Sequence, residues 1–132
     1  MCGRGQGRHF QCPNVKVERF VEPCLLLLLA ESRSHGYELI ERLGSSGLCA
    51  EAPDAGLVYR TLRRLEKLGV VSSEWETGGA GPARRLYCLT AAGEEYLAAW
   101  RQQVEQNLRR LQRFLQRHDR LLQLPDNERP QG

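Results

Sequence analysis

The sequence GLVYRTLRRLEKLGVVSSEWETGGAGPARRLYCLTAAGEEYL, residues 56–97, decides the fold. Its first third predicts a helix over Gly56–Leu68, because apolar side chains recur there at helical spacing on one face: Val58, Leu62, Leu65 and Leu68. Two stretches rich in β-forming residues follow, Val70–Glu76 and Arg84–Leu89, and the glycine-rich segment between them predicts a projecting loop. A helix followed by two strands and a long loop is typical of a winged helix-turn-helix domain, in which that loop is the wing.

The residues on either side of this stretch complete the pattern. The apolar run Cys24–Ala30 predicts a first helix that is buried on most sides, and Tyr37–Leu43 predicts a short second helix after the polar connection Glu31–Gly36. Thr90 is a suitable N-cap for a long helix over Ala91–Leu124, about 45 Å in length.

The predicted order of elements defines the fold class and the domains. We expect an α+β fold, mostly α, with a winged helix-turn-helix domain at 15–90 and a long C-terminal dimerisation helix at 91–124. We expect residues 1–14 to form a flexible basic tail and residues 125–132 a disordered tail.

Composition narrows the class of protein. The chain has 132 residues, of which 41% are hydrophobic and 27% charged, values that fit one globular domain and exclude wholesale disorder. Its longest apolar run is far shorter than a membrane span, so we expect a cytoplasmic protein without a membrane partner. The sequence lacks a nucleophile triad, a phosphate-binding loop and an HExxH motif, so we expect no enzymatic activity.

The distribution of charge points to nucleic acid more clearly than the net charge of +3 does. The predicted third helix carries its polar residues opposite the apolar stripe, and the predicted wing ends in two arginines: Tyr59, Arg60, Arg63 and Arg64 on the helix, and Arg84 and Arg85 at the wing. Basic residues on both elements predict contacts with double-stranded DNA. We expect Glu66 to pair locally with Arg63 or Arg64.

Three motifs in this order resemble the PadR family of bacterial winged helix-turn-helix transcriptional regulators. They are HGYELIERL at His35–Leu43, GLVYRTLRRLEKLGVVSSEWE at Gly56–Glu76 and GPARRLYCLTAAGEEYL at Gly81–Leu97. The resemblance implies a homodimer that is built by the C-terminal helices, binds a palindromic operator and leaves it when an effector binds or a cofactor changes state.

The resemblance also assigns the DNA-binding residues. It implies that Tyr59, Arg60 and Arg63 face DNA from the recognition helix, and that the wing contributes Gly81, Pro82, Arg84 and Arg85. The chain departs from the family pattern at the start of this helix, where Leu57 stands in a hydroxyl position and Arg60 in a proline position. A different base preference is therefore expected.

The long helix carries the predicted dimer interface. Its apolar stripe is longer than one small domain can cover, and we expect these residues to contact a second copy: Leu97, Trp100, Val104, Leu108 and Leu111. Trp100 is also a candidate effector-binding residue, because some relatives that bind flat aromatic drugs present a tryptophan between subunits.

Cysteines provide a second candidate sensor. Cys2 and Cys12 lie in a glycine-rich segment with little to pack against, and together with Cys24 they are candidate ligands of a metal, a haem or an iron–sulfur cluster. The cofactor, if there is one, is not identified by their spacing.

The sequence therefore predicts a DNA-binding transcriptional regulator, a repressor that responds to an effector or to a redox or metal change. The alternative is a winged-helix module that binds another protein and has no specific affinity for DNA.

Overall fold

The computed structural model describes residues 20–49, 53–77 and 81–130. The elements follow in this order: helix α1 (Val21–Glu31), strand β1 (Ser34–His35), helix α2 (Gly36–Ser45), helix α3 (Ala55–Lys67), strand β2 (Val71–Glu76), strand β3 (Arg84–Leu89), helix α4 (Ala91–Gln123) and a 3-10 helix (Asp126–Glu128). The predicted winged helix-turn-helix fold with a long C-terminal helix is confirmed.

Helix α1 forms the centre of the core. It packs against α2, α3, α4 and strand β3, and only Leu27 among its leucines is exposed. Leu25 and Leu26 are completely buried, together with apolar residues contributed by the neighbouring helices: Leu39 and Leu43 from α2, and Val58, Leu62 and Leu65 from α3. The apolar run therefore makes a helix that is buried on nearly every side, as predicted.

The sheet has three antiparallel strands in the order β1-β3-β2. Strands β2 and β3 pair along their whole length, from Val71 opposite Leu89 to Glu76 opposite Arg84. Strand β1 was missed by the sequence analysis, which treats these residues as part of a polar connection. It is only two residues long, and its pairing with β3 places His35 beside the root of the wing.

Local signals set both ends of α3. The Asp54 carboxylate accepts a hydrogen bond from the backbone N–H of Leu57 at 3.2 Å, which caps the first turn. At the other end Gly69 has a φ of +79°, and the N–H groups of Gly69 and Val70 donate to carbonyls of the last turn of the helix. Helix α3 thus passes directly into β2 through this turn.

Helix α4 begins against the same turn. Thr90 accepts from the Gly93 N–H at 3.0 Å and donates to the Gly69 carbonyl at 2.7 Å. A Cβ atom on Gly93 would collide with the Val70 carbonyl and with the side chain of Leu89, so only glycine allows this close approach. Further along, α4 has no buried residue, and all of residues 101–123 are exposed.

The chain continues beyond α4 in an ordered turn. The prediction of a disordered tail at 125–132 is wrong for the described residues 125–130, because Asp126–Glu128 form the 3-10 helix. Arg129 folds back and donates hydrogen bonds to the Leu122 and Leu124 carbonyls, so two backbone acceptors at the end of α4 have a partner. The expected tail at 1–14 lies outside the described residues. None of the helices in the described part of the chain is long and apolar enough to cross a membrane.

Candidate nucleic-acid interface

Helix α3 presents a basic face to solvent. It buries Val58, Thr61, Leu62 and Leu65 on one side, and the residues directly opposite are exposed: Arg60, Arg63 and Lys67. Lys67 lies one helical turn beyond Arg63 on the same face. Such a face can approach a groove of duplex DNA without competing ion pairs, because neither Arg60 nor Arg63 forms one within the described residues.

Tyr59 lies on the flank of α3 that faces α2. Its ring packs so closely on Gly36 that a Cβ atom there would come within 2.5 Å of the Tyr59 Cε1 atom. The side chain is nevertheless 37% exposed. Tyr59 also lines a cleft of about 300 Å³ between the recognition helix and the root of the wing, together with His35, Gly36, Tyr37, Trp75, Arg84, Arg85 and Tyr87.

Each wing arginine is held by an aromatic ring in this cleft. Arg84 donates to the Tyr37 hydroxyl at 2.7 Å and lies 5.6 Å from the centroid of the same ring. Arg85 lies 5.0 Å from the centroid of Trp75. A cation above an aromatic face is attracted by the ring quadrupole, so both guanidinium groups are oriented while they stay exposed to solvent.

Glu66 has different partners from those expected. The predicted local pair with Arg63 or Arg64 is wrong. Glu66 instead accepts from the Ser73 hydroxyl at 2.7 Å and lies 3.8 Å from Arg85. The pairing of β3 with β2 brings Arg85 back to α3, a long-range contact that no helical spacing reveals. Glu66 thus connects the recognition helix to both strands of the wing.

His35 connects α2 to the end of β2. Its Nδ1 atom lies 2.6 Å from Glu38 Oε1 and its Nε2 atom lies 2.8 Å from Glu76 Oε1, while its ring stacks on Tyr37 with 5.8 Å between centroids. Two carboxylates accept from the two ring nitrogens only if both carry protons. The Glu76 and Glu38 carboxylates accordingly raise the pKa of His35 above its ordinary value.

Arg64 differs from the other predicted DNA-binding residues. It lies on the flank of α3 that faces α1, where its Nη2 atom donates to Glu22 Oε2 at 2.6 Å. Its side chain is still 52% exposed, so the remaining N–H groups of the guanidinium stay accessible. Arg64 therefore lies at the edge of the basic surface, where the buried Glu22 carboxylate of α1 fixes its guanidinium group.

The remaining wing residues lie at the margin of the described structure. Gly81 and Pro82 are both exposed just before β3, while residues 78–80 lie outside the described residues. Tyr37 and Trp75 were not among the predicted site residues, although each contacts a wing arginine. Strand alternation alone would place Trp75 on the same face as the buried Val71, so its contact with Arg85 follows only from the register that pairs these two residues across β2 and β3.

The predicted dimer residues divide into two groups. Leu97 and Trp100 pack against the core of their own chain, whereas Val104, Leu108 and Leu111 are exposed by 39%, 52% and 63%. Beside the first group, α1 and α4 enclose an open groove of about 580 Å³ that is lined mainly by apolar residues: Phe20, Pro23, Cys24, Leu27, Leu48, Leu97, Ala98, Trp100 and Val104.

Of the three cysteines predicted as ligands, only Cys24 lies in the described part of the chain. It is buried, and burial together with the neighbouring Cys49 thiol raises its pKa to about 12. A thiol of this kind is protonated at neutral pH and is a poor metal ligand in this state. Residues 20–49, 53–77 and 81–130 contain no cluster of three potential metal ligands, and Cys2 and Cys12 lie outside these ranges.

Comparison with known proteins places this architecture in a family. Residues 25–99 match the family model described as the transcriptional regulator PadR-like family. The chain belongs to the PadR-like family of transcriptional regulators. The matched range includes α1 from Leu25 onward, the recognition helix, the wing and the first turns of α4, so the family resemblance of the sequence motifs is confirmed.

Individual relatives agree with this assignment. The chain is 32% identical over 103 residues to the transcriptional regulator YqjI of Escherichia coli (strain K12), an alignment that covers 78% of this chain and 46% of that protein. The chain thus spans about half the length of the curated relatives it matches.

Solved structures are similar in fold as well. A conserved protein of unknown function, TM0937, described as a potential transcriptional factor, is 35% identical with a TM-score of 0.74, and the match covers 86% of this chain and 100% of that one. A PadR-like transcriptional regulator from Bacillus cereus strain ATCC 14579 is 25% identical with a TM-score of 0.65, over 76% of this chain and 95% of that one.

The His35 contacts predict a pH dependence of stability. Because the folded-state pKa is raised, protonated His35 stabilises the fold fully below its ordinary pKa, about 6.5, and this contribution disappears as the pH rises through the folded-state value. Urea unfolding of wild type and His35→Gln between pH 6 and 9 should therefore give a difference in unfolding free energy that shrinks with rising pH. A difference that stays constant over this range would contradict the assignment.

Proposed function

We propose that the protein is a homodimeric repressor that binds a palindromic operator sequence-specifically and leaves it when an effector binds beside Trp100. The observation that carries the DNA-binding part is the cleft in which Tyr59 of α3 meets Arg84 and Arg85 of the wing. The cleft is lined by residues of both elements that winged helices use for DNA, and its two arginines are exposed. This placement supports a DNA contact over a merely solvated basic surface.

The helix and the wing have separate tasks in this proposal. Arg60 and Arg63 lie on the exposed face of α3 opposite its buried residues, where a guanidinium fork can bind the edge of a guanine with two hydrogen bonds. Arg84 and Arg85 are oriented by Tyr37 and Trp75 and are suited to the phosphate backbone, which fixes position without reading sequence.

Alanine variants of these arginines test whether the helix contacts bases and the wing contacts phosphates. Arg60→Ala and Arg63→Ala should each weaken binding to the selected operator by about 1–3 kcal/mol if the side chain contacts a base. Arg84→Ala should weaken binding to all duplexes alike and lower the slope of log K against log salt by about one. Fluorescence anisotropy with a duplex selected from random DNA, over a salt titration, provides both quantities. Arg117→Ala on α4 is the matched control.

Wild-type behaviour of all three interface variants would show that this face does not bind DNA. A wild-type protein that selects no duplex at all would favour the other class of function, a winged helix that binds another protein.

The exposed half of α4 supports the dimer. The apolar residues beyond Trp100 continue at helical spacing with large exposed fractions: Val104, Leu108, Leu111, Phe114, Leu115, Leu121 and Leu122. A strip of this length on one helix fits a second copy of the same helix, which would bury it in an isologous contact. Two recognition helices related by a two-fold axis would then meet the two halves of a palindrome.

Sedimentation tests this arrangement. The wild-type protein at micromolar concentration should have twice the 15.0 kDa mass of the chain, and Leu108→Asp should shift it toward the monomer because it places a charge inside the apolar contact. Gln116→Asp, on the polar side of α4, should remain dimeric. A monomeric wild type, or an unchanged mass for Leu108→Asp, would exclude α4 as the dimer interface.

The groove beside Trp100 is the proposed effector site. Its volume and apolar lining are those of a small-molecule site, and two carboxylates, Glu94 and Glu105, lie among the lining residues. Arg101 pairs with Glu105 at 3.7 Å, which leaves Glu94 outside the ion pairs of the described residues. A flat apolar molecule with a positive charge is the class of effector that suits this lining.

Trp100 itself provides the test of this site. In a Trp75→Phe background Trp100 is the only tryptophan, and rhodamine 6G, a planar cation, should quench its emission. In the wild-type protein, which keeps Trp75 beside Arg85, the same dye should lower operator affinity. Glu94→Gln should weaken the quenching, whereas a sulfonated anionic rhodamine should have little effect. Equal quenching by both dyes, or by neither, would contradict the proposed ligand class.

A further inference from the structure

Glu22 is the carboxylate at the centre of the polar contacts inside the domain. It lies in the first turn of α1 and is only 6% exposed. Its two oxygens divide between two helices: Oε2 accepts from Arg64 of α3 at 2.6 Å, and Oε1 accepts from the Tyr96 hydroxyl at 2.5 Å and from Trp100 Nε1 at 3.1 Å, both on α4.

This arrangement joins three helices through one side chain. Helix α1 packs against both α3 and α4, and Glu22 adds hydrogen bonds of fixed direction to those apolar contacts. Apolar packing alone allows small rotations of one helix on another, whereas a charge-assisted hydrogen bond at 2.6 Å restricts both distance and angle. The orientation of the recognition helix is therefore restricted by directional hydrogen bonds as well as by apolar packing.

The carboxylate is charged in this environment. Burial alone would raise the pKa of Glu22, but the three donors, Tyr96, Arg64 and Trp100, together lower it below its ordinary value. A buried carboxylate with three donors is a satisfied group, whereas one that loses a donor is costly. A change at Trp100 therefore alters the balance of contacts that hold Arg64.

We propose that Glu22 is the positioning residue that fixes the orientation of the recognition helix relative to α4, and that it thereby restricts which half-site spacing the dimer accepts. This inference rests on the proposed function. In a dimer built on α4, the distance between two recognition helices depends on the angle at which each α3 is held on its own α4. If the hydrogen bonds of Glu22 were weakened, the angle between α3 and α4 would be less restricted. The dimer would then bind operators of several half-site spacings.

The experiment compares operators that differ only in spacing. A duplex selected by the wild-type protein from random DNA is shortened or lengthened by one and two base pairs between its half-sites. The wild-type protein should lose most of its affinity on these duplexes. Glu22→Gln keeps the size of the side chain and removes its charge, so it should bind the native spacing about tenfold more weakly and show a flatter dependence on spacing.

Two milder variants and a matched control accompany Glu22→Gln. Tyr96→Phe and Trp100→Phe each remove one donor to Oε1 and should flatten the spacing profile in the same direction, even if Glu22→Gln folds poorly. Glu31→Gln makes the same chemical change at the other end of α1, where the carboxylate forms only an exposed pair with Arg42 at 3.4 Å. It should have the wild-type profile.

A purely structural role would produce a different result. If Glu22 only stabilises the fold, its variants lower the urea midpoint but keep the steep spacing profile, and this outcome would overturn the inference while the DNA-binding function stands. Failure of the wild-type protein to select any duplex would overturn the proposed function and this inference with it.

Discussion

Leu25 and Leu26 lose all contact with solvent at the point where α1 meets every other helix and strand β3. Burial of a leucine side chain contributes about 1.5–3 kcal/mol, and α1 supplies several such residues in succession. The burial of this helix has a chemical consequence one turn earlier. Glu22 is carried into the interior with the leucines, and a buried carboxylate is tolerated only when it is hydrogen-bonded. Because the apolar core buries the Glu22 carboxylate, the hydrogen bonds that it accepts from α3 and α4 are required for the fold.

The elements that could be predicted from sequence are those with strong local signals. Helix α3 has an apolar stripe and a stop at Gly69, and the boundaries of β3 agree with the alternation of its residues. Strand β1 has no local signal, because its two residues are strand only through their pairing with β3. The same reason explains why the partner of Glu66 was predicted wrongly. Its expected partners lie on its own helix, but the hairpin brings Arg85 to it from nineteen positions away along the chain.

The candidate site shows the same division between local and long-range information. Helical periodicity places Tyr59, Arg60 and Arg63 on exposed positions, and the structure agrees. The role of Tyr37 and Trp75 depends on tertiary contacts with Arg84 and Arg85, which a charge pattern does not contain. Their contribution is orientation. An arginine held against a ring loses less side-chain freedom when it binds a phosphate than a free arginine does, so part of the entropic cost of binding is met in the folded domain.

Trp100 shows why the apolar stripe of α4 should not be treated as one surface. The periodicity continues unchanged from Leu97 to Leu122, yet Trp100 packs on its own core and donates to Glu22, while residues from Val104 onward are exposed. A ligand that stacked on this indole would compete with the hydrogen bond that Trp100 gives to Glu22. Any shift of the indole would therefore reach Arg64 through a single shared carboxylate, without a rearrangement of the core. Glu22 thus connects the groove beside Trp100 with the recognition helix, because it accepts hydrogen bonds from Trp100 of α4 and from Arg64 of α3.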